Sequence, residues 1–350
     1  EKAHLLSGEL LGVQDPRTTY RLQTLARNDV NLKRYERAEQ RVREALTIFE
    51  TTLGRENVNT INALGDLAQL FLAKGEPRPA LEPLEESYAL RVKVQGANEI
   101  DTLEAKEDLA QLYRQLGQFD KAEPMFLEVI SVAESQLGIA DPLTIEAKSH
   151  LAELYENINN FEESLRLYTE VYETDLQILG EAHPNVASDL NNLAGIYRRI
   201  GDLQQSEASY RRALEIMTAA LGETAPQTLL IMNNLALVLE SQGLYDEAEP
   251  LYQKALASSV QLQGEMHPTS LALDNNIAML YEAQGDFLRA ELTYKKVIEL
   301  NKQVFGETHP NTVASINNLA YLYLVDQKPE QAEASFKEAY EIWKALYGEQ

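Results

Sequence analysis

Residues 181–222 read EAHPNVASDLNNLAGIYRRIGDLQQSEASYRRALEIMTAALG, and they contain one complete copy of the unit from which the chain is built. Its apolar and small residues are spaced by three and four, as at Ala194 and Tyr197, which is typical of the buried stripe of an α-helix. Gly201 interrupts the pattern midway, where a glycine can end a helix in a left-handed conformation. A second stripe containing Tyr210 follows it. The stretch therefore predicts two helices joined by a tight turn.

The same pattern recurs along the whole chain. Glycines follow one another at intervals of 42 residues, at Gly12, Gly54, Gly96, Gly138, Gly180, Gly222, Gly264, Gly306 and Gly348. The fourteenth residue after each of the first eight is alanine: Ala26, Ala68, Ala110, Ala152, Ala194, Ala236, Ala278 and Ala320. A methyl side chain at a fixed helical position allows two helices to approach closely. The periodicity predicts an all-α protein, a right-handed α-α superhelix of eight 42-residue helix-turn-helix repeats.

We place the eight repeats at 13–54, 55–96, 97–138, 139–180, 181–222, 223–264, 265–306 and 307–348. Residues 349–350 form a short tail. Ala3 and Gly12 match Ala213 and Gly222, so we expect residues 1–12 to be the end of the second helix of a preceding repeat.

Two kinds of helix end can be predicted within the repeat. Pro268 and Pro310 suit the first turn of a helix, and His267 and His309 before them are candidate caps. The mid-repeat turn has a glycine in five repeats and Asn159 in a sixth. Lys33 and Gln327 stand at this position in the first and last repeats, and neither adopts a left-handed conformation as cheaply. We therefore expect irregular turns there.

The recurring Leu, Ala, Tyr and Gly resemble the tetratricopeptide repeat. The usual unit has 34 residues and this one has 42. The strings Leu190-Asn191-Asn192-Leu193-Ala194 and Gly306-Glu307-Thr308-His309-Pro310 look like the longer repeats of kinesin light chains. The resemblance spans residues 13 to 348 and implies a protein-binding solenoid.

The resemblance also implies a peptide-binding site. In kinesin light chains an asparagine at the twelfth position after the boundary glycine, and a basic residue at the eighteenth, contact cargo peptides. The matching asparagines are Asn192, Asn234, Asn276 and Asn318. The basic position matches only Arg114 and Arg198, whereas Glu156, Glu240 and Glu282 stand there in other repeats. These glutamates argue against the acidic cargo that the family prefers.

The residues themselves support a site on the first helix of each repeat. Each of these asparagines is preceded by another, so four pairs of amides recur one repeat apart: Asn191, Asn233, Asn275 and Asn317 are the first members. An amide can donate to and accept from an extended peptide backbone, which makes the concave groove a candidate peptide site. The alternative is that the amides bond neighbouring helices and set the repeat register. Tyr321, one turn further on, either faces a partner or packs between repeats.

Charge excludes some partners. The net charge of −24 disfavours nucleic acids and anionic membrane surfaces, because both are bound through Lys and Arg. Residues 97–180 carry five basic and eighteen acidic residues, so this region either attracts a basic segment or is simply a solvated surface. The chain has no cysteine, and we expect a cytoplasmic location.

The sequence contains no catalytic motif that we can recognise. A phosphate-binding glycine loop, a zinc-binding His-Glu-x-x-His helix and a Gly-x-Ser-x-Gly elbow are all missing. His183, His267 and His309 occupy one repeated position, which favours helix capping over metal binding. We therefore expect neither an enzyme nor a cofactor or metal site.

The sequence favours a protein-interaction scaffold that binds a peptide or protein segment in its concave groove. Two alternatives stay open. The chain could be a self-assembly module that forms a homo-oligomer through its solenoid ends, or a ligand-sensing regulatory domain of a multidomain signalling protein.

Overall fold

The computed structural model describes residues 16–348, which form 16 helices and no strand. It divides into two compact units, one ending at Leu167 and the other starting at Tyr168. The predicted end of a preceding helix at residues 1–12 and the tail at 349–350 lie outside the described residues.

Unit 1 holds seven complete helices. They are α1 (Pro16–Asn31), α2 (Tyr35–Leu53), α3 (Val58–Ala73), α4 (Pro77–Val94), α5 (Ile100–Gln115), α6 (Phe119–Gln136) and α7 (Pro142–Asn157). The next helix, α8 (Phe161–Leu179), contains the boundary between the units.

Unit 2 holds the remaining eight complete helices. They are α9 (Pro184–Arg199), α10 (Leu203–Leu221), α11 (Pro226–Ser241), α12 (Tyr245–Gln263), α13 (Pro268–Ala283), α14 (Phe287–Phe305), α15 (Pro310–Val325) and α16 (Pro329–Tyr347). Odd-numbered helices are the first helices of their repeats and even-numbered helices are the second.

Small residues lie where the helices meet. The eight recurring alanines, such as Ala194 and Ala236, are all at most 1% exposed. Ser206 takes the place of an alanine in α10 and donates its hydroxyl to the carbonyl of Ala194 at 2.8 Å, so this buried polar group is satisfied. The eight successive helix pairs confirm the predicted all-α solenoid and its number of repeats. The exact residues at which one repeat ends and the next begins stay a prediction.

The mid-repeat turns correct one expectation. Lys33, Asn159 and Gln327 have φ values of 56°, 59° and 57°, close to the left-handed glycines at this position. Lys328 N–H donates to the Tyr323 carbonyl at 2.8 Å. At the equivalent turn of another repeat, Glu76 N–H donates to the Phe71 carbonyl at 2.9 Å. The expectation of irregular turns at Lys33 and Gln327 is therefore wrong. The hydrogen bonds that close the helix end, and the packing of the helix pair, outweigh the left-handed strain of about 1–2 kcal/mol.

The boundary between repeats depends on glycine and on a side-chain cap. Gly222 has φ 89° and ψ 165°, a backbone region that is essentially restricted to glycine. The predicted histidine caps are confirmed: Nδ1 of His267 accepts from the Thr269 N–H at 3.2 Å, and Nδ1 of His309 accepts from the Asn311 N–H at 3.1 Å. Pro268 and Pro310 begin their helices as expected.

Candidate functional site

The paired asparagines lie on the first helices of unit 2 and are half-buried. They belong to α9, α11, α13 and α15, and consecutive first helices touch, as α9 and α11 do. We call the exposed surface of these four helices the first-helix face of unit 2. It contains Asn191, Asn192, Asn233, Asn234, Asn275, Asn276 and Asn318, together with Arg198 and Tyr321.

The asparagines form a hydrogen-bonded ladder across the repeats. Nδ2 of Asn234 donates to Oδ1 of Asn191 at 3.0 Å. Equivalent bonds join Asn276 to Asn233 at 2.7 Å and Asn318 to Asn275 at 3.0 Å. In each case the second asparagine of one repeat bonds the first asparagine of the preceding repeat. The ladder therefore links neighbouring repeats, which is the structural role that the sequence left open.

The ladder does not use all of the hydrogen-bonding capacity of its amides. Each asparagine side chain offers two N–H groups and a carbonyl oxygen with two lone pairs. Nδ2 of Asn276 uses one N–H for Asn233, and Oδ1 of Asn318 accepts no bond from the described residues. Because their bonds hold these amides in one orientation, the remaining groups are presented to a ligand at little entropic cost.

Unit 1 uses the same positions with charged residues. Gln23 Nε2 donates to Asp66 at 3.0 Å, and Nδ1 of His150 pairs with Glu107. Both pairs have the sequence separation of the asparagine bonds. Burial alone would lower the pKa of His150, but the hydrogen bond and charge of Glu107 outweigh it and raise that pKa. An inter-repeat link at this separation therefore also occurs in unit 1, whereas in unit 2 it is formed by pairs of asparagines.

The two basic candidates differ in their environment. Arg114 in unit 1 is held by Glu153 at 2.6 Å and by Asn157 at 3.1 Å, so its guanidinium is already paired. Arg198 in unit 2 is exposed near the end of α9. Arg198 therefore has the freer side chain for a partner.

The glutamates that replace the basic residue in α11 and α13 were not expected to interact with tyrosine. The hydroxyl of Tyr252 donates to Glu240 Oε2 at 3.1 Å, and the hydroxyl of Tyr294 donates to Glu282 Oε2 at 3.2 Å. Burial raises the pKa of both glutamates. Each of the two tyrosines follows its glutamate by twelve residues, a regularity that could have been read from the sequence.

Apolar side chains flank the ladder. Leu230 is 55% exposed, Met279 40% and Tyr321 58%. The Tyr321 ring packs edge-on against Phe336 with centroids 5.1 Å apart, which fixes its position while leaving one side open. Tyr321 thus both packs between helices and faces solvent.

Two cavities adjoin the ladder in unit 2. One of about 380 Å³ is lined mainly by apolar residues of α11 and α13, including Leu229 and Leu230, and by Asn233 and Asn276. The other, about 240 Å³, lies between α13 and α15 and reaches Asn275, Asn276 and Asn318. Apolar hollows beside fixed amides are features of a surface that binds an extended chain.

The acidic residues predicted in unit 1 surround a cavity of about 490 Å³, which is lined by Glu104, Glu107, Asp108, Asp141 and Glu146 among others. Asp141 caps α7 by accepting from Leu143 N–H at 3.0 Å, and Glu107 pairs with His150. Part of this acidic group is therefore structural.

Between residues 16 and 348, no three acidic or histidine side chains are grouped so that they could hold a metal ion. No helix within the same range combines the length and apolar character needed to span a membrane.

The fold and the ladder define an α-solenoid of helix-turn-helix repeats. The chain belongs to the tetratricopeptide repeat family, whose model matches residues 17–93, 101–177, 143–218, 185–259 and 269–345. No curated protein sequence matches it.

Several solved structures share the fold. A putative kinesin light chain from Podospora anserina is 21% identical, with a TM-score of 0.52 over 59% of this chain and 97% of that one. The quorum sensor NprR from B. thuringiensis is 16% identical, with a TM-score of 0.71 over 97% and 91%. A Rap protein in complex with the Competence and Sporulation Factor is 11% identical, with a TM-score of 0.57 over 95% and 99%.

Proposed function

We propose that this chain is a protein-interaction scaffold and that the first-helix face of unit 2 binds an extended peptide segment. The observation that carries the proposal is the ladder of oriented amides between exposed apolar side chains. The amides satisfy the backbone of a peptide, and the two cavities beside the ladder accept alternate side chains. The Rap protein complex shows that a similar repeat array can hold a partner.

The ladder itself is a poor target for a test, because replacing its asparagines also removes bonds between repeats. Ala272 offers a better position, since it is exposed on α13 and lines both cavities beside the ladder. Ala272→Arg fills this surface with a long side chain and leaves every ladder bond in place. Ala257→Arg is the matched control, because Ala257 is an exposed alanine on the second helix α12.

The experiment is a selection of random peptides displayed on phage against the chain, followed by fluorescence anisotropy with each selected peptide. We expect Ala272→Arg to weaken binding at least about tenfold, the effect of losing one well-packed contact region, and Ala257→Arg to leave it unchanged. Peptides that bind both variants equally would refute the proposal. A molecular mass that rises with concentration in all three proteins would instead favour the self-assembly alternative.

A further inference from the structure

A pocket on the first-helix face of unit 2 contains two carboxylates that form no ion pair with any described residue. It is lined by Glu240, Met279, Glu282, Ala283, Tyr294, Asn318 and Tyr321 and has a volume of about 300 Å³. We infer that this pocket binds the side chain of a lysine or arginine in the peptide partner. The inference rests on the proposed function and adds the chemistry of the residue that is recognised.

The described part of the chain gives neither carboxylate of the pocket an ion-pair partner. Among residues 16–348 no lysine or arginine forms an ion pair with Glu240 or Glu282, and each accepts only the hydroxyl of a buried tyrosine. By contrast, the buried carboxylate of Asp274 in unit 2 contacts Lys296 at 3.0 Å. Two partly desolvated carboxylates one repeat apart repel each other, and a cation from a ligand relieves that repulsion.

The helix ends add to this negative field. Glu240 and Glu282 lie in the last turns of α11 and α13, where the partial negative charge of a helix C-terminus disfavours a carboxylate and favours a cation. The equivalent position in α9 carries Arg198, which suits the helix dipole. The glutamates therefore lower local stability. Residues that are unfavourable for the local structure, like a carboxylate at a helix C-terminus, are typical of binding sites.

The pocket walls favour a long side chain over a bare metal ion. Met279 and Tyr321 are exposed beside the carboxylates, and they can cover the aliphatic stem of a lysine or the flat face of a guanidinium. Two carboxylates and a thioether are a poor ligand set for a hard divalent cation. The site therefore matches a residue with an apolar stem and a positive end.

The pocket contains its own spectroscopic probe. The chain has five methionines; Met279 lines the pocket, and Met266 is 45% exposed outside it. With methyl-¹³C-labelled methionine, the full chain is titrated with Nα-acetyl-lysine methylamide and its arginine analogue. Nα-acetyl-norleucine methylamide is the neutral control of similar length. We expect a saturable shift of the Met279 methyl signal with the two cations, no shift of Met266, and weaker binding as NaCl is raised.

The variant Glu240→Gln/Glu282→Gln tests the carboxylates, because glutamine still accepts the tyrosine hydroxyls. It should raise the apparent Kd for the lysine amide about tenfold or more. Glu299→Gln, an exposed change on α14, is the control. Equal binding of the norleucine amide, an unchanged Kd in the double variant, or an immobile Met279 signal would each overturn the inference.

The experiments distinguish a wrong inference about the cation pocket from a wrong proposal about the peptide-binding face. A selected peptide that is lost with Ala272→Arg but binds the double glutamine variant normally would overturn the cation pocket and support the peptide-binding face. A cation-dependent Met279 shift without any peptide sensitive to Ala272→Arg would support the pocket chemistry and refute the peptide-binding function.

Discussion

Replacing Asp189 with asparagine should stabilise the protein at neutral pH and have almost no effect in acid. Asp189 in α9 is 8% exposed, its Oδ2 has no hydrogen-bond partner within residues 16–348, and Asp175 in α8 is 4% exposed. Burial, with a further contribution from the Asp175 charge, raises the pKa of Asp189 from 3.8 to about 7. The Asn185 side chain and His183 interact with Asp175, not with Asp189.

The sign of the effect follows from this raised pKa. Below about pH 4 the carboxyl is protonated in the folded and unfolded states alike, so Asp189 costs nothing there. Between about pH 4 and 7 only the unfolded state ionises, and the free energy of unfolding falls. A shift of about three pKa units corresponds to at most about 4 kcal/mol, which is reached above about pH 7. Asn301 and Ser315 occupy the equivalent positions three repeats later and form a neutral hydrogen bond at 3.0 Å.

Urea unfolding followed by far-ultraviolet circular dichroism, from about pH 4 to about pH 8, measures the difference. Hydrogen exchange of α8 and α9 then tests whether the gain is local, since repeat arrays need not unfold in one step. Asp246→Asn is the control, because Asp246 is exposed on α12. A gain that is the same at every pH would show that ionisation of Asp189 is not its cause, and a loss at every pH would show that the carboxylate has a stabilising partner.

Three further substitutions test the packing and the turns. Asn276→Ala should lower the free energy of unfolding by about 1 kcal/mol in urea, because Asn233 Oδ1 loses its 2.7 Å bond. Ala194→Leu should cost about 1–3 kcal/mol in the same assay, because the alanine is fully buried between helices, and an unchanged midpoint would refute the close-packing argument. Gln327→Gly should raise the thermal midpoint by relieving about 1 kcal/mol of strain at φ 57°, and a lower midpoint would contradict it.

The periodic features were predictable because they recur in every repeat. Eight copies of the alanine and glycine pattern define the helices, and the same position in three loops identifies the histidine caps. The turns at Lys33 and Gln327 were mispredicted for a related reason. Residue preference was considered one position at a time, whereas the backbone hydrogen bonds of the whole turn determine its φ.

The ladder was only half predictable. The sequence shows the paired asparagines, but not that the second amide of one repeat bonds the first amide of the preceding one. Gln23 with Asp66 and Glu107 with His150 follow the same separation, so a search for complementary residues at that spacing would have found the rule. The partners differ chemically from repeat to repeat, which hides the rule from any comparison of equivalent positions.

Asp189 and the glutamate pocket mark the limit of periodic reasoning, because the repeat pattern does not show whether an acidic side chain has a partner or opens onto a pocket. At Asp189 the packing leaves a carboxylate that is only 8% exposed and interacts unfavourably with the charge of Asp175, so it acts on stability. At Glu240 and Glu282 the carboxylates are also partly desolvated, but they open onto a pocket with Met279 and Tyr321. The neighbouring helices determine whether a ligand can reach such a carboxylate. A carboxylate within reach of a ligand can bind it, whereas one that is out of reach only lowers stability. That distinction lies in the three-dimensional packing and not in the residue type.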